Sequence, residues 1–168
     1  YPDFSALKLK LDKLYGARLD ASTEKYGDCQ LLSMRISVIN DRFTFDSDSL
    51  VKAACDMLLG LIFEPSVENN AFMYDDVERE KRKAIEHIKG EIAEKRIYAK
   101  NRLISEMFKN DAYGIPKCGT VSQVEAITGE SLYNAWVNML KSAFVRVQVV
   151  GESLPNKFFE AVAEKFNT

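Results

Sequence analysis

Residues 27–38 read GDCQLLSMRISV, and this stretch decides the fold. A Gly-Asp turn is followed by Leu32, Met34, Ile36 and Val38 alternating with Ser33, Arg35 and Ser37. Successive side chains on a strand point to opposite faces, so a period of two predicts a strand with one apolar face. Residues 17–26, rich in small and polar types, predict its antiparallel partner across the turn.

Outward from this hairpin the period changes. Phe4, Leu7, Leu11 and Leu14 fall three and four apart with lysines between them, which predicts an amphipathic helix over residues 4–15 that stops at Gly16. Downstream, Leu50, Val51, Ala54, Met57, Leu58 and Leu61 give a broad apolar face to a helix over 48–63, capped by Asp46 or Ser47 and closed by Pro65. A long charged helix is predicted over 69–95, with Phe72, Val77, Ala84, Ile85, Ile88 and Ile92 inward, and another over 97–109. Tyr113, Gly114, Pro116 and Gly119 break the pattern. Thr128 caps a predicted helix over 128–140, in which Trp136 reads as a core residue. Residues 144–150 alternate Val145, Val147 and Val149 with Arg146 and Gln148 and predict a strand ended by Gly151. Pro155 opens a last helix carrying Phe158, Phe159, Val162 and Phe166.

This order predicts an α+β fold, an antiparallel sheet with helices packed mainly on one face. Three strands are few for so many helices, so part of the sheet is expected N-terminal to Tyr1. The 168 residues suit one core, and a single domain over 1–168 is expected. The chain starts at Tyr1 without an initiator methionine or a signal-like segment, which suggests a piece of a longer protein.

Charge excludes some partners. The 25 acidic and 23 basic residues leave a net charge of −2 and are mixed along the chain, so no footprint for nucleic acid or an anionic membrane is expected. The longest apolar run, residues 57–63, falls well short of the roughly 20 residues a membrane span needs. Cys29, Cys55 and Cys118 are odd in number and widely spaced, which argues against a disulfide framework and predicts buried free thiols in a reducing cytoplasm.

His87 is the only histidine, so any triad or histidine-based metal site within this chain must use it. Phosphate-cradling, nucleophile-elbow, dinucleotide-binding and H-E-x-x-H motifs are all absent. Glu80 and His87 lie seven apart on one helix face, with Glu91 four further on. They are weak metal candidates, because ligands strung along one helix cannot surround a zinc ion that wants a tetrahedron. An ordinary solvated face laced with ion pairs is the simpler reading. No catalytic or cofactor-binding residue is assigned.

Taken together and in order, several short motifs resemble the pitrilysin/insulinase family of zinc metallopeptidases. They are Leu14-Tyr15-Gly16-Ala17, Phe63-Glu64-Pro65 with Asn70-Ala71-Phe72, Val77-Glu78-Arg79-Glu80-Lys81-Arg82, Tyr98-Ala99 with Arg102-Leu103, Tyr113-Gly114, Gly119, and Val149-Val150-Gly151. The likeness runs from about Leu7 to Phe166, and the family includes processing peptidases and bacterial inactive homologues. The resemblance implies a half-domain whose active relatives hold zinc with an inverted His-x-x-Glu-His motif, expected before Tyr1, and with the second glutamate of a Glu-x6-Glu pair. Here the pair's positions carry Glu80 and His87, which counts against catalysis. Moving the register to Glu86 puts Arg79 where the partner glutamate belongs. The function implied is a non-catalytic, cytoplasmic peptidase-like domain that binds or helps enclose a peptide beside a homologous catalytic subunit. The alternative is a truncated zinc endopeptidase whose motif lies upstream.

Overall fold

A computed structural model of the chain describes residues 4–44, 49–152 and 158–167. The elements run α1 (Phe4–Lys13), β1 (Arg18–Tyr26), β2 (Cys29–Ser37), α2 (Leu50–Phe63), β3 (Val67–Glu68), β4 (Ala71–Phe72), α3 (Tyr74–Gly90), α4 (Lys95–Met107), α5 (Val121–Glu125), α6 (Gly129–Ser142) and α7 (Phe158–Asn167). The class is α+β. The strands form two separate two-stranded sheets, β1-β2 and β3-β4. Two compact units share the chain: Tyr1–Ala21, Met34–Ser66 and Val137–Thr168 form one, and Ser22–Ser33 with Val67–Trp136 the other.

The decisive hairpin forms as its sequence predicts. Gly27 takes φ +62° at the first of the two connecting residues, the left-handed conformation a tight turn demands there. On β2 the expected alternation holds from Met34 onward, where Met34 and Ile36 are half-buried and Arg35 and Ser37 exposed. Leu31 and Leu32 are exposed.

In the first unit, α1 ends as predicted, with Tyr15 and Gly16 both at positive φ. The N-cap of α2 is Ser49, whose hydroxyl accepts the Lys52 N–H at 3.2 Å, while Asp41 accepts the Ser49 hydroxyl at 2.8 Å and the Val51 N–H at 3.2 Å. The sequence pointed to Asp46 or Ser47, which lie outside the described residues. Leu50, Ala54, Met57 and Leu59 are the buried positions of α2. Leu59 packs with Val162 of α7, surrounded by Cys55, Phe63, Val149 and Phe166. Phe63 and Phe166 meet edge to face with centroids 4.8 Å apart, a favoured aromatic geometry.

The second unit departs from expectation at its start. Instead of one helix from residue 69, a small hairpin comes first, with Val67 opposite Phe72 and Glu68 opposite Ala71. Asn69 and Asn70 turn it at φ 50° and 60°, which asparagine tolerates better than other non-glycine residues. Gly129 at the start of α6 faces Phe72, where a Cβ would stand 2.3 Å from the Phe72 carbonyl oxygen. Phe72 and Tyr133 pack edge to face. Helix α3 packs on α5, with Val77 and Val124 buried. Thr120 and Gln123 close a reciprocal capping box on α5, a short helix beyond those expected from the apolar periodicity. Thr128 caps α6 through the Ser131 N–H at 3.1 Å, as expected.

The strand predicted over 144–150 forms no ladder among the described residues. Phe144 is 88% and Val150 99% exposed, while Val149 reaches the Leu59 cluster. The alternating pattern is present, but a strand exists only where a neighbour takes its N–H and C=O groups, and no described strand lies beside it. Pro155 lies outside the described residues.

The small core makes its members sensitive. Leu59→Ala is expected to cost about 2–4 kcal/mol in urea denaturation, from lost burial plus a cavity. Leu103→Ala, on the exposed side of α4, should stay within about 0.5 kcal/mol.

Candidate functional site

Helix α3 carries the residues that the sequence singled out. Asp75 and Asp76 in its first turn and Lys89 in its last complement the helix dipole. Its surface is laced with ion pairs: Arg79 to Asp76 at 2.7 Å, Lys81 to Glu78 at 2.7 Å and Lys83 to Glu80 at 2.8 Å. These are i,i+3 neighbours, which face each other on a helix.

Glu80 sits within this lattice. The hydrogen bond from Lys83 Nζ holds its carboxyl below the ordinary value of 4.5, helped by the Lys83 charge and by Arg79, against a smaller opposing effect of partial burial. Arg79 Nε approaches the same oxygen, Oε1, at 3.4 Å. His87 is exposed and pairs with Glu91 at 3.7 Å, the other oxygen of which accepts Asn101 Nδ2 of α4 at 3.1 Å. His87 and Glu91 therefore come together, and Glu80 stands apart from them. Glu86 is exposed.

Seven residues along a helix separate Glu80 from His87 by about 10 Å of rise, whereas zinc bonds run to about 2 Å. Among the described residues no three His, Cys, Asp or Glu side chains are placed to hold a metal ion. A shallow groove lined by Tyr74, Asp75, Glu78, Arg79 and Arg82 lies on the first turns of α3 and mixes both signs of charge.

The thiols are placed differently from expectation. Cys29 is exposed, because it opens β2 directly after the turn, and Cys55 and Cys118 are only half-buried. The hydrogen bond to Asp28 and its charge push the Cys29 thiol up, and burial does the same for Cys55, so neither is primed as a nucleophile.

A second polar arrangement was not legible in the sequence. Lys25 on β1 reaches the main-chain carbonyls of Ala112, Tyr113 and Ile115, and Gln30 on β2 reaches that of Lys117. Nothing in the local sequence announces contacts about 90 residues apart, which arise from tertiary packing alone.

Comparison with known proteins places these features in context. No family model matches the chain. Over all 168 residues it is 30% identical to the probable inactive metalloprotease YmfF of Bacillus subtilis (strain 168), and it spans 39% of that protein's length. A crystal structure of a conserved protein from Enterococcus faecalis V583 superposes with a TM-score of 0.79 at 28% identity, over 84% of this chain and 33% of the other. Among the described residues no helix is long and apolar enough to cross a membrane.

The charge lattice has a testable sign. Because the Glu80 value is depressed on folding, its contribution is fully present above about pH 4.5 and is lost as pH falls through the depressed value. Against Glu80→Gln, the native chain should be more stable near neutral pH by less than about 1 kcal/mol, since the pair is exposed. Urea titrations of both proteins should show this gap closing in acid and shrinking in high salt.

Proposed function

We propose that this chain is a non-catalytic half-domain of the pitrilysin/insulinase type, which acts in the cytoplasm beside a catalytic homologue and binds or helps enclose an extended peptide. The observation that carries this reading is the likeness along the whole chain to a protein described as a probable inactive metalloprotease. Helix α3 is consistent with it: where the family resemblance puts a zinc-binding glutamate stands His87, exposed and paired with Glu91.

Peptide binding is supported by the main chain of residues 144–150. This segment alternates apolar and polar residues and forms no ladder among the described residues, so an added strand could pair with its N–H and C=O groups, with side chains on alternate positions supplying selectivity. Arg146 and Gln148 lie between the valines there, so an apolar peptide with alternating acidic or polar positions suits it.

The test uses the full-length protein, fluorescently labelled extended peptides and metal analysis after exchange into metal-free buffer with limiting zinc. Expected are no stoichiometric zinc, no peptide cleavage and saturable binding. N-methylation of two alternate peptide amides should weaken that binding by about tenfold or more, at roughly 1 kcal/mol for each hydrogen bond lost. Stoichiometric zinc that disappears in His87→Ala, with cleavage, would replace this reading by a zinc endopeptidase in which His87 is a ligand.

A further inference from the structure

An ammonium group has three N–H donors and no acceptor, and in the second unit all the donors of Lys25 find main-chain oxygen. Its Nζ donates to Ala112 O at 3.1 Å, to Tyr113 O at 2.7 Å and to Ile115 O. The ring of Tyr113 lies 5.7 Å away, within cation–π range. On the opposite strand of the hairpin, Gln30 Nε2 donates to Lys117 O at 2.9 Å. Side chains from both sides of the Gly27-Asp28 turn thus grip residues 112–117.

The carbonyls converge because the turn uses its own N–H groups internally. Tyr113 N–H donates to Asp111 Oδ1 at 2.7 Å, Gly114 N–H to Asp111 O at 3.0 Å and Ile115 N–H to Ala112 O at 3.2 Å. The turn is also pinned from behind. At Gly114 a Cβ would stand 2.2 Å from Phe108 O, and the Gly114 carbonyl accepts the Ser105 hydroxyl at 3.1 Å. Phe108 and Tyr113 pack edge to face at 4.8 Å. Held in this way, the turn cannot easily rotate its carbonyls away if the cation is withdrawn.

We propose that the turn at residues 112–115 is a binding site for a primary ammonium group, filled by the chain's own Lys25, and that its occupation fastens the tip of the β1-β2 hairpin to the connection between α4 and α5. The chemistry is selective. A compact ammonium points three donors at three oxygens, whereas the planar guanidinium of arginine presents its donors as a fork and matches the cage poorly. A neutral side chain of similar length fills the space and leaves the Tyr113 and Ile115 oxygens without the Lys25 donors, while Ala112 O keeps only the Ile115 N–H.

The experiment is hydrogen–deuterium exchange on the whole chain, read in fragments covering residues 108–120, with α2 as internal reference. Lys25→Met is expected to speed exchange there by about tenfold or more, with Lys25→Arg restoring only part of the protection and α2 unchanged in both. Lys25→Ala should regain protection in n-propylammonium and not in 1-propanol at equal concentration. Native-like exchange in Lys25→Met would overturn the proposal, as would equal rescue by the alcohol. If Lys25→Met also loosens α2, the alanine variant decides: rescue by the ammonium alone supports the site, and its failure removes it.

Discussion

Main-chain hydrogen bonding is the constraint on which the rest of this structure depends. Apolar material suffices for a core, but strands need neighbours, and the described residues supply two isolated hairpins. Side chains satisfy main-chain groups at helix starts and in one turn. Ser49 and Asp41 satisfy the first amides of α2, Thr120 with Gln123 and Thr128 with Ser131 close those of α5 and α6, and Lys25 with Gln30 satisfies four carbonyls of residues 112–117. Each satisfies a main-chain group that its own element leaves unpaired, at a net worth of about 1 kcal/mol. Over residues 144–150 the alternating pattern is present without a ladder among the described residues.

What the sequence disclosed follows the same division. Local patterns are legible in part: the alternation of β2 from Met34 onward, Leu50, Ala54 and Met57 on α2, Val77 on α3, Gly16 after α1 and Thr128 before α6, whereas Leu59 is buried off the predicted face and Ile92, expected inward, is exposed beyond the end of α3. Features set by two competing local signals were misread. Asn69-Asn70 merges with the predicted helix because the charged, helix-favouring run after residue 73 has no clear start signal, although paired asparagines at positive φ make a hairpin turn. Residues 144–150 show the converse case, in which a correct local pattern lacks the neighbour that turns it into a strand. The candidate site divides likewise. The spacing of Glu80, His87 and Glu91 is a helix property and was available from the sequence, whereas the partners of Glu91 and Lys25 come from other elements and were not.

The charges on α3 do not by themselves forbid a metal ion. Exposed pairs such as Lys83 to Glu80 are worth less than about 1 kcal/mol, and zinc would displace Lys83 at little cost. Geometry decides instead. Glu80 is two turns from His87, and Glu91, the neighbour His87 does meet, spends its second oxygen on Asn101. A tetrahedral shell around either end of this face needs ligands from an opposing element, and among the described residues none is so placed. Among the described residues His87 is exposed and meets only the Glu91 carboxylate, at 3.7 Å, so no buried partner fixes its tautomer. A helix built to coordinate metal orients its ligand by a second contact; this one leaves its only imidazole in solvent with a long carboxylate contact. That arrangement suits a charged outer surface on a helix whose inner face packs on α5, and it is consistent with the proposed non-catalytic role.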